Sequence, residues 1–408
     1  MSATEKPVWV WLPGQAQPVL CGLFRLENEV GTFHYEEAYR KRNDALALDP
    51  FSLPFTRSKR GARETRQHGL FGVFRDASPE GFGLALLEQV RGQNLTDPLA
   101  RLEFSEGDAV GAIEVCEGIQ AKLSFKAPSS HDLLQVLEQL PAEKPSSYAA
   151  REVKGVHGTS LGGERPKLTV THNGQLWIAK LQDRGDGPHM PLREFVAMRL
   201  ARRCDIDAAE VEFLLTGERE VLLVRRFDRH VDDAGNTFRS LYASAHTVLR
   251  LDAQVRGDRQ RSYVALAHEV RRRCAAQDAP ARAMQRELWR RMAFNALIGN
   301  GDDHPRNHGL VHRDGRWQLS PAFDIAPYTT YSGAQAMAVN RDGKLSARTR
   351  FLVQDCDNFG YERDEALAWL EASKRVITRG WDDEMAAAGF DPAELKAPTF
   401  EWLEREDG

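Results

Sequence analysis

The stretch GDDHPRN (residues 301–307), the hairpin sequence GLVHRDGRWQLS (309–320) and the following PAFDIAP (321–327) decide how this chain is read. Upstream, Glu287 to Ile298 carries Leu288, Trp289, Met292, Phe294 and Leu297, an apolar helix that stops at Gly299, a residue suited to the position just past a helix end. The helix therefore delivers Asn300, Gly301 and Asp302 into a loop with rigid support behind it, where functional groups are commonly carried. Asp314-Gly315 marks a tight turn, and pairing Arg313 with Arg316 across it sets Leu310 opposite Leu319 and Asn307 close to Ala322. Asp324 then lies two residues beyond the same end, so at about 3.3 Å per strand residue Asp302, Asn307 and Asp324 can converge on one small volume.

Two carboxylates and an amide offer only oxygen, which suits magnesium better than zinc, because magnesium keeps waters and takes one or two carboxylates plus substrate phosphates. Phosphoryl transfer needs little else from a protein. Its transition state spreads charge over the phosphoryl oxygens, so the work is positioning, metal neutralisation, a lysine on the phosphates and an Asp receiving the acceptor proton. D-x-x-x-x-N followed by a separate Asp after a short hairpin has that layout. Alone, Asp302, Asp303 and Asn307 would read as turn and cap residues that bond their own loop backbone; with the helix, the hairpin and the second Asp, a site is the better reading. His304 could steady the loop or touch phosphate.

Further upstream, LWIAKL (176–181) is a strand with Lys180 on the face of Leu176 and Ile178, and a cation on an apolar face needs an anionic partner such as phosphate. Glu194, in the first turn of the next helix, is a structural ion-pair candidate for it. The preceding loop, GVHGTSLGGERPK, holds Gly155, Gly158, Gly162 and Gly163, able to close over phosphates through backbone N–H groups although it matches neither common nucleotide-loop pattern. Ser160 within it is either an ordinary hydroxyl or a phosphate acceptor.

The 408 residues are 42% hydrophobic, enough for two or three packed domains, and 55 Lys+Arg against 59 Asp+Glu leave no global field toward nucleic acid or membrane. RSKRGARETR (57–66) is the densest basic stretch and reads as a solvated loop. Cys21, Cys116, Cys204, Cys274 and Cys356 are scattered without metal spacing, as reduced cytosolic thiols would be. The start, MSATEKPVWVWLPG, has no leader pattern and no 18-residue apolar run follows, so a cytoplasmic protein without a membrane span is expected. Strand-like alternation dominates residues 1–125; a Pro/Ser/Ala-rich stretch with one amphipathic helix opens a second region, 126–236; and 237–408 is mostly helical.

In order along nearly the whole chain, FRDASPEGFG, GDAVGAIEV, SLGGERPK, IAKL, VRRFDR, IGNGDDHPRN and LSPAFDIAP resemble the HipA family of serine/threonine kinases, toxin members of toxin–antitoxin pairs. The resemblance implies an α+β, protein-kinase-like two-lobed fold of HipA type: the N-terminal domain, a small lobe with the glycine loop and strand lysine, and a helical large lobe. It implies ATP and Mg2+ as cofactors, Asp302 as the catalytic residue, Asn307 and Asp324 as metal ligands, and Lys180 in contact with the ATP phosphates. Arg226, Phe227 and Asp228 would form the adenine-side hinge, and Ser160 matches a serine that some members autophosphorylate to eject their own loop. The implied protein substrate is an aminoacyl-tRNA synthetase, and the implied partner a HipB-like helix-turn-helix antitoxin, which alone would touch DNA. GDDHPRN is also similar to a loop of phosphatidylinositol kinases, so a small-molecule or lipid kinase is the alternative, beside a nucleotide-binding transcriptional co-regulator without transferase activity.

Overall fold

Alternating apolar and polar residues in Thr4–Val10, Val19–Glu27 and Val30–Tyr35 make three antiparallel strands, in which Val8, Val10, Phe24 and Phe33 are buried. Ala62–Glu64 extends this sheet at one edge and Ile113–Val115 at the other. Of GDAVGAIEV only those last three residues are strand. The helix Gly81–Arg91 turns Gly83, Leu86 and Leu87 inward and leaves Val90 48% exposed. The computed structural model describes residues 4–55, 61–153, 159–252, 259–274, 278–328 and 330–404; Arg57 to Arg60 of the basic stretch, and Gly155 and Gly158, lie outside the described residues.

By packing, the chain divides into two compact units: Met1–Arg184, Leu215–Ala253 and Val311–Arg313 in the first, Gly185–Leu214, Gln254–Leu310 and Asp314–Gly408 in the second. The first unit joins the N-terminal sheet to a second antiparallel set, Lys167–His172, Gln175–Leu181 and Arg219–Arg225, paired in that order. Asn173 and Gly174, both with positive φ, make the tight turn between the first two. The linker helix Ser130–Gln139 starts in a capping box of Ser129 and Asp132, buries Leu133 and Leu137, and is tied to the sheet by Thr171 N donating to Pro128 O at 2.8 Å.

The second unit is built from helices. Met190–Arg203 packs on Arg363–Ala387, where Arg199 and Arg203 both reach the buried Glu384. Tyr263–Arg273 packs on Asp278–Ile298, whose central Leu288, Trp289, Met292, Phe294 and Leu297 are fully enclosed. That helix begins nine residues earlier than its apolar run suggests, and in the added stretch Arg286 pairs with Glu365. Among the described residues no helix is long and apolar enough to cross a membrane, and all five cysteines are free and buried.

Candidate active site

The helix Asp278–Ile298 ends where the sequence places its stop: Gly299 has φ 81°, a left-handed conformation that a side chain resists, and the chain turns into the 301–307 loop. Asp302 is exposed at its tip. The loop folds back through its own backbone, with His304 N donating to Asp302 O at 2.8 Å and Asn307 N to His304 O at 2.9 Å. The Asn307 side chain closes the circle, Nδ2 donating to Asp302 O at 3.2 Å, which commits its nitrogen to the loop and leaves its oxygen for other work. His304 is half-buried, and its Nδ1 has no hydrogen-bond partner among the described residues.

The hairpin after the loop keeps the expected register: Ser320 N donates to Gly309 O at 2.9 Å, the pairing that follows from setting Arg313 against Arg316. Its exit is braced on both sides, with Ala322 N donating to Asp207 O at 2.7 Å and Ala209 N to Ala322 O at 2.8 Å. Two residues on, Asp324 sits at φ 60°. A left-handed Asp costs of order 1 kcal/mol and persists only where its surroundings enforce it. Here Asn300 Nδ2 reaches the Asp324 carbonyl at 3.4 Å, and Tyr328 N donates to Gly299 O at 3.0 Å, so the FD segment is laced to the residues just before Asp302. Tyr328 Oη also donates to Asp302 Oδ2 at 3.4 Å. Asp302, Asn307 and Asp324 thus belong to one bonded cluster, in which Asp303 is the buried neighbour: it is 2% exposed and accepts from Tyr263 Oη, Asn295 Nδ2 and His308 Nε2. Burial, then the nearby Asp303 carboxylate, pushes the Tyr263 phenol well above its ordinary value, so it stays a donor. Among the described residues no three His, Cys, Asp or Glu gather as a metal cage.

In the first unit, Gln175–Leu181 buries Trp177, Ala179 and Leu181 on one face, which puts half-buried Lys180 on the other face with Leu176 and Ile178, as its alternation requires. Glu194 is buried in the helix Met190–Arg203 of the second unit. The described part of the glycine loop is tightly held. Asp108, 2% exposed, accepts from Ser160 N at 2.8 Å on one oxygen and from Thr159 and Thr169 hydroxyls at 3.0 and 2.9 Å on the other. Ser160 is itself 1% exposed, its Oγ donating to Glu106 O at 2.9 Å, while Phe82 N donates to Gly163 O at 3.0 Å. Gly162 is exposed, and Gly163 has φ 102°, a conformation that favours glycine.

The side chains of Arg226 and Asp228 are turned into the protein. Arg226 donates to Asp228 Oδ1 and Oδ2 at 3.0 and 2.8 Å and to Asp108 O at 2.7 Å; Asp228 also accepts from Gly111 N at 2.8 Å and Arg229 Nη1 at 2.9 Å. Burial would raise the Asp228 carboxyl, but Arg226 and Arg229 outweigh it and hold the group well below the usual carboxylate range. The Phe227 carbonyl accepts from Arg313. Their described bonds are to this chain's own side chains and backbone.

This architecture, β-rich at its start and helical at its end with the bonded Asp-Asn-Asp cluster in the helical part, is shared with known proteins. Residues 10–116 match the HipA N-terminal domain and residues 159–381 the HipA-like C-terminal domain. The second match alone spans more than half of the chain, so the chain belongs to the HipA family. It is 25% identical over 396 residues to a putative kinase, Y4mE, of Sinorhizobium fredii, covering 92% of this chain and 89% of that one. It is 22% identical over 325 residues to the serine/threonine-protein kinase toxin HipA of Shewanella oneidensis, covering 73% of each. The solved structure of a complex of HipA, HipB and operator DNA from Shewanella oneidensis is similar at a TM-score of 0.65 and 20% identity, over 91% of this chain and 88% of that one. This likeness establishes the fold, a mixed α/β arrangement of HipA type.

Proposed function

We propose that this chain is an ATP- and magnesium-dependent serine/threonine protein kinase, a HipA-like toxin in the sense of its relatives. The observation that carries the reading is the bonded cluster of the second unit, where Asn307 closes on Asp302 and Asn300 ties in the left-handed Asp324. Bound MgATP would supply the phosphoryl group and a cation to neutralise its charge. Asp302, exposed at the loop tip, would accept the proton of the acceptor hydroxyl; the Asn307 side-chain oxygen and the Asp324 carboxylate would hold the metal; Lys180 would neutralise phosphate charge, with Gly162, Gly163 and His304 as further phosphate-side groups. Around Arg226, Phe227 and Asp228 the side chains of Arg226 and Asp228 are spent on each other, so the adenine-side contribution falls to backbone.

Ser160 is the proposed autophosphorylation site. Its hydroxyl is enclosed by Glu106 and its amide by Asp108, so phosphate can be added only after this stretch leaves both. The names of the relatives support a kinase, and the HipB in the related complex supports a HipB-like helix-turn-helix partner, with DNA contacted through it. A translation component such as an aminoacyl-tRNA synthetase is the proposed substrate.

The test is incubation of the purified chain with ATP and magnesium, followed by mass spectrometry of the chain and of added lysate. Phosphate on Ser160 or on lysate serines that disappears in Asp302→Ala, with the fold retained by circular dichroism, is the expected result. No labelled protein in either fraction removes the protein-kinase reading, and label confined to lipid or small molecules replaces it with the alternative.

A further inference from the structure

We infer that Asp303 is the positioning residue of the catalytic loop, a buried carboxylate that fixes where Asp302 and Asp324 stand. This role rests on the kinase reading for what the loop does, but not for how the loop is held.

The two adjacent acids have opposite surroundings. Asp302 is exposed, whereas Asp303 is 2% exposed among Tyr263 (0%), Asn295 (2%) and His308 (2%). A single oxygen of Asp303, Oδ2, accepts from Tyr263 Oη, from Asn295 Nδ2 at 2.7 Å and from His308 Nε2 at 2.9 Å. Enclosed and supplied with three donors, this carboxylate has no path to a substrate hydroxyl, so of the two acids only Asp302 can take the acceptor proton. What Asp303 does instead is join elements far apart in the chain: the helix Tyr263–Arg273, the helix Asp278–Ile298 and the residue just past Asn307.

The network continues to the second acid. Asn295 Oδ1 accepts from Asn300 Nδ2 at 2.9 Å, Asn300 N donates to Asn295 O at 2.9 Å, and Asn300 Nδ2 reaches the Asp324 carbonyl at 3.4 Å. Asn295 is thereby polarised, its nitrogen toward Asp303 and its oxygen toward Asn300, and the line Asp303–Asn295–Asn300–Asp324 couples the base-bearing loop to the metal-bearing segment. A buried hydrogen-bond network stiffens what it joins, even with His308 Nδ1 left without a partner among the described residues, and a displacement of order 1 Å at a catalytic group costs about 100-fold in rate.

The experiment compares Asp303→Ala, Asp303→Asn and Asn295→Asp with wild type by ADP release from MgATP and by hydrogen exchange. In Asp303→Ala, kcat should fall about 100-fold while KM for ATP stays within about threefold. Asp303→Asn keeps an acceptor oxygen for the same donors and should recover to within about tenfold, with the acid limb of its pH–rate profile unmoved. Asn295→Asp sets carboxylate against carboxylate and should resemble Asp303→Ala. Exchange should quicken in Asp303→Ala only over residues 299–308 and 324–328. A wild-type kcat in Asp303→Ala, an acid limb abolished in Asp303→Asn, or exchange quickened evenly over the whole second unit would each overturn the assignment. If the wild type releases no ADP, the kinase reading fails, and the exchange pattern alone still decides whether Asp303 holds the loop.

Discussion

Replacing Asp228 by alanine removes the one carboxylate between two buried guanidiniums. Asp228 is 3% exposed and takes four hydrogen bonds: two from Arg226, one from Arg229 and one from Gly111 N. Breaking a buried ion pair from one side costs about 3–5 kcal/mol, because the partner charge is left without compensation. Two facts set the expectation toward the lower part of that range. Arg226 keeps the Asp108 and Ala109 carbonyls, and Arg229 keeps the Gly111 and Ala109 carbonyls, so neither guanidinium loses every acceptor. With about 3–4 kcal/mol lost and roughly 2–4 °C per kcal/mol for a unit of this size, the melting midpoint of the first unit should fall by roughly 6–16 °C. Differential scanning calorimetry of the full chain, with and without MgATP, measures it. A midpoint within about 2 °C of wild type, combined with a large loss of ATP affinity, would mean that the carboxylate serves the nucleotide and that the buried network is not what holds this region.

The same carboxylate makes the first unit acid-sensitive. Its folded pKa is depressed, so its contribution is complete above the ordinary carboxylate value near 4 and drains away as pH falls below that, and the wild-type advantage over Asp228→Ala in urea midpoint should shrink between about pH 4 and pH 2; an advantage that grows on acidification contradicts the assignment. Asp108→Ala orphans two hydroxyls and the Ser160 amide, and at about 1–3 kcal/mol for leaving a buried group unmatched it should loosen residues 159–163, read as faster proteolysis there and faster labelling of Ser160; an unchanged cleavage rate counts against the clamp. In Gly83→Ala the new methyl would sit 2.4 Å from Leu161 O and 2.7 Å from Thr159 O, so despite better helix propensity the chain should lose about 1–3 kcal/mol in urea unfolding, and a gain would show that this loop is not pressed on the helix. Ser160→Ala should sustain ADP release longer than wild type, which equal time courses would contradict.

How much of this was legible beforehand varies with the range of the interaction that decides it. The hairpin register followed from Asp314-Gly315 and one count, because a two-residue turn fixes pairing locally, and the helix stop followed from Gly299. Lys180 could be put on the right face because a strand has period two. The environment of Asp303 could not be read: Tyr263 lies 40 positions away, and nothing in GDDHPRN says which of two adjacent acids faces inward. Nor does PAFDIAP announce a left-handed residue, since that φ is imposed by Asn300 and by the braces on Ala322. Arg226 and Asp228 entered as site residues through the family resemblance alone, and nothing in VRRFDR says that their charges meet each other and the carbonyls of residues more than a hundred positions earlier.

Those carbonyls have a practical consequence for anyone dissecting the gene. Asp108, Ala109 and Gly111 line the cage around Arg226 and Arg229. A fragment that begins at residue 159, where the C-terminal family match starts, would inherit both guanidiniums and leave their receptacle behind. Such a fragment should come out of expression insoluble, and co-expressing the missing N-terminal piece in trans should bring it back into solution.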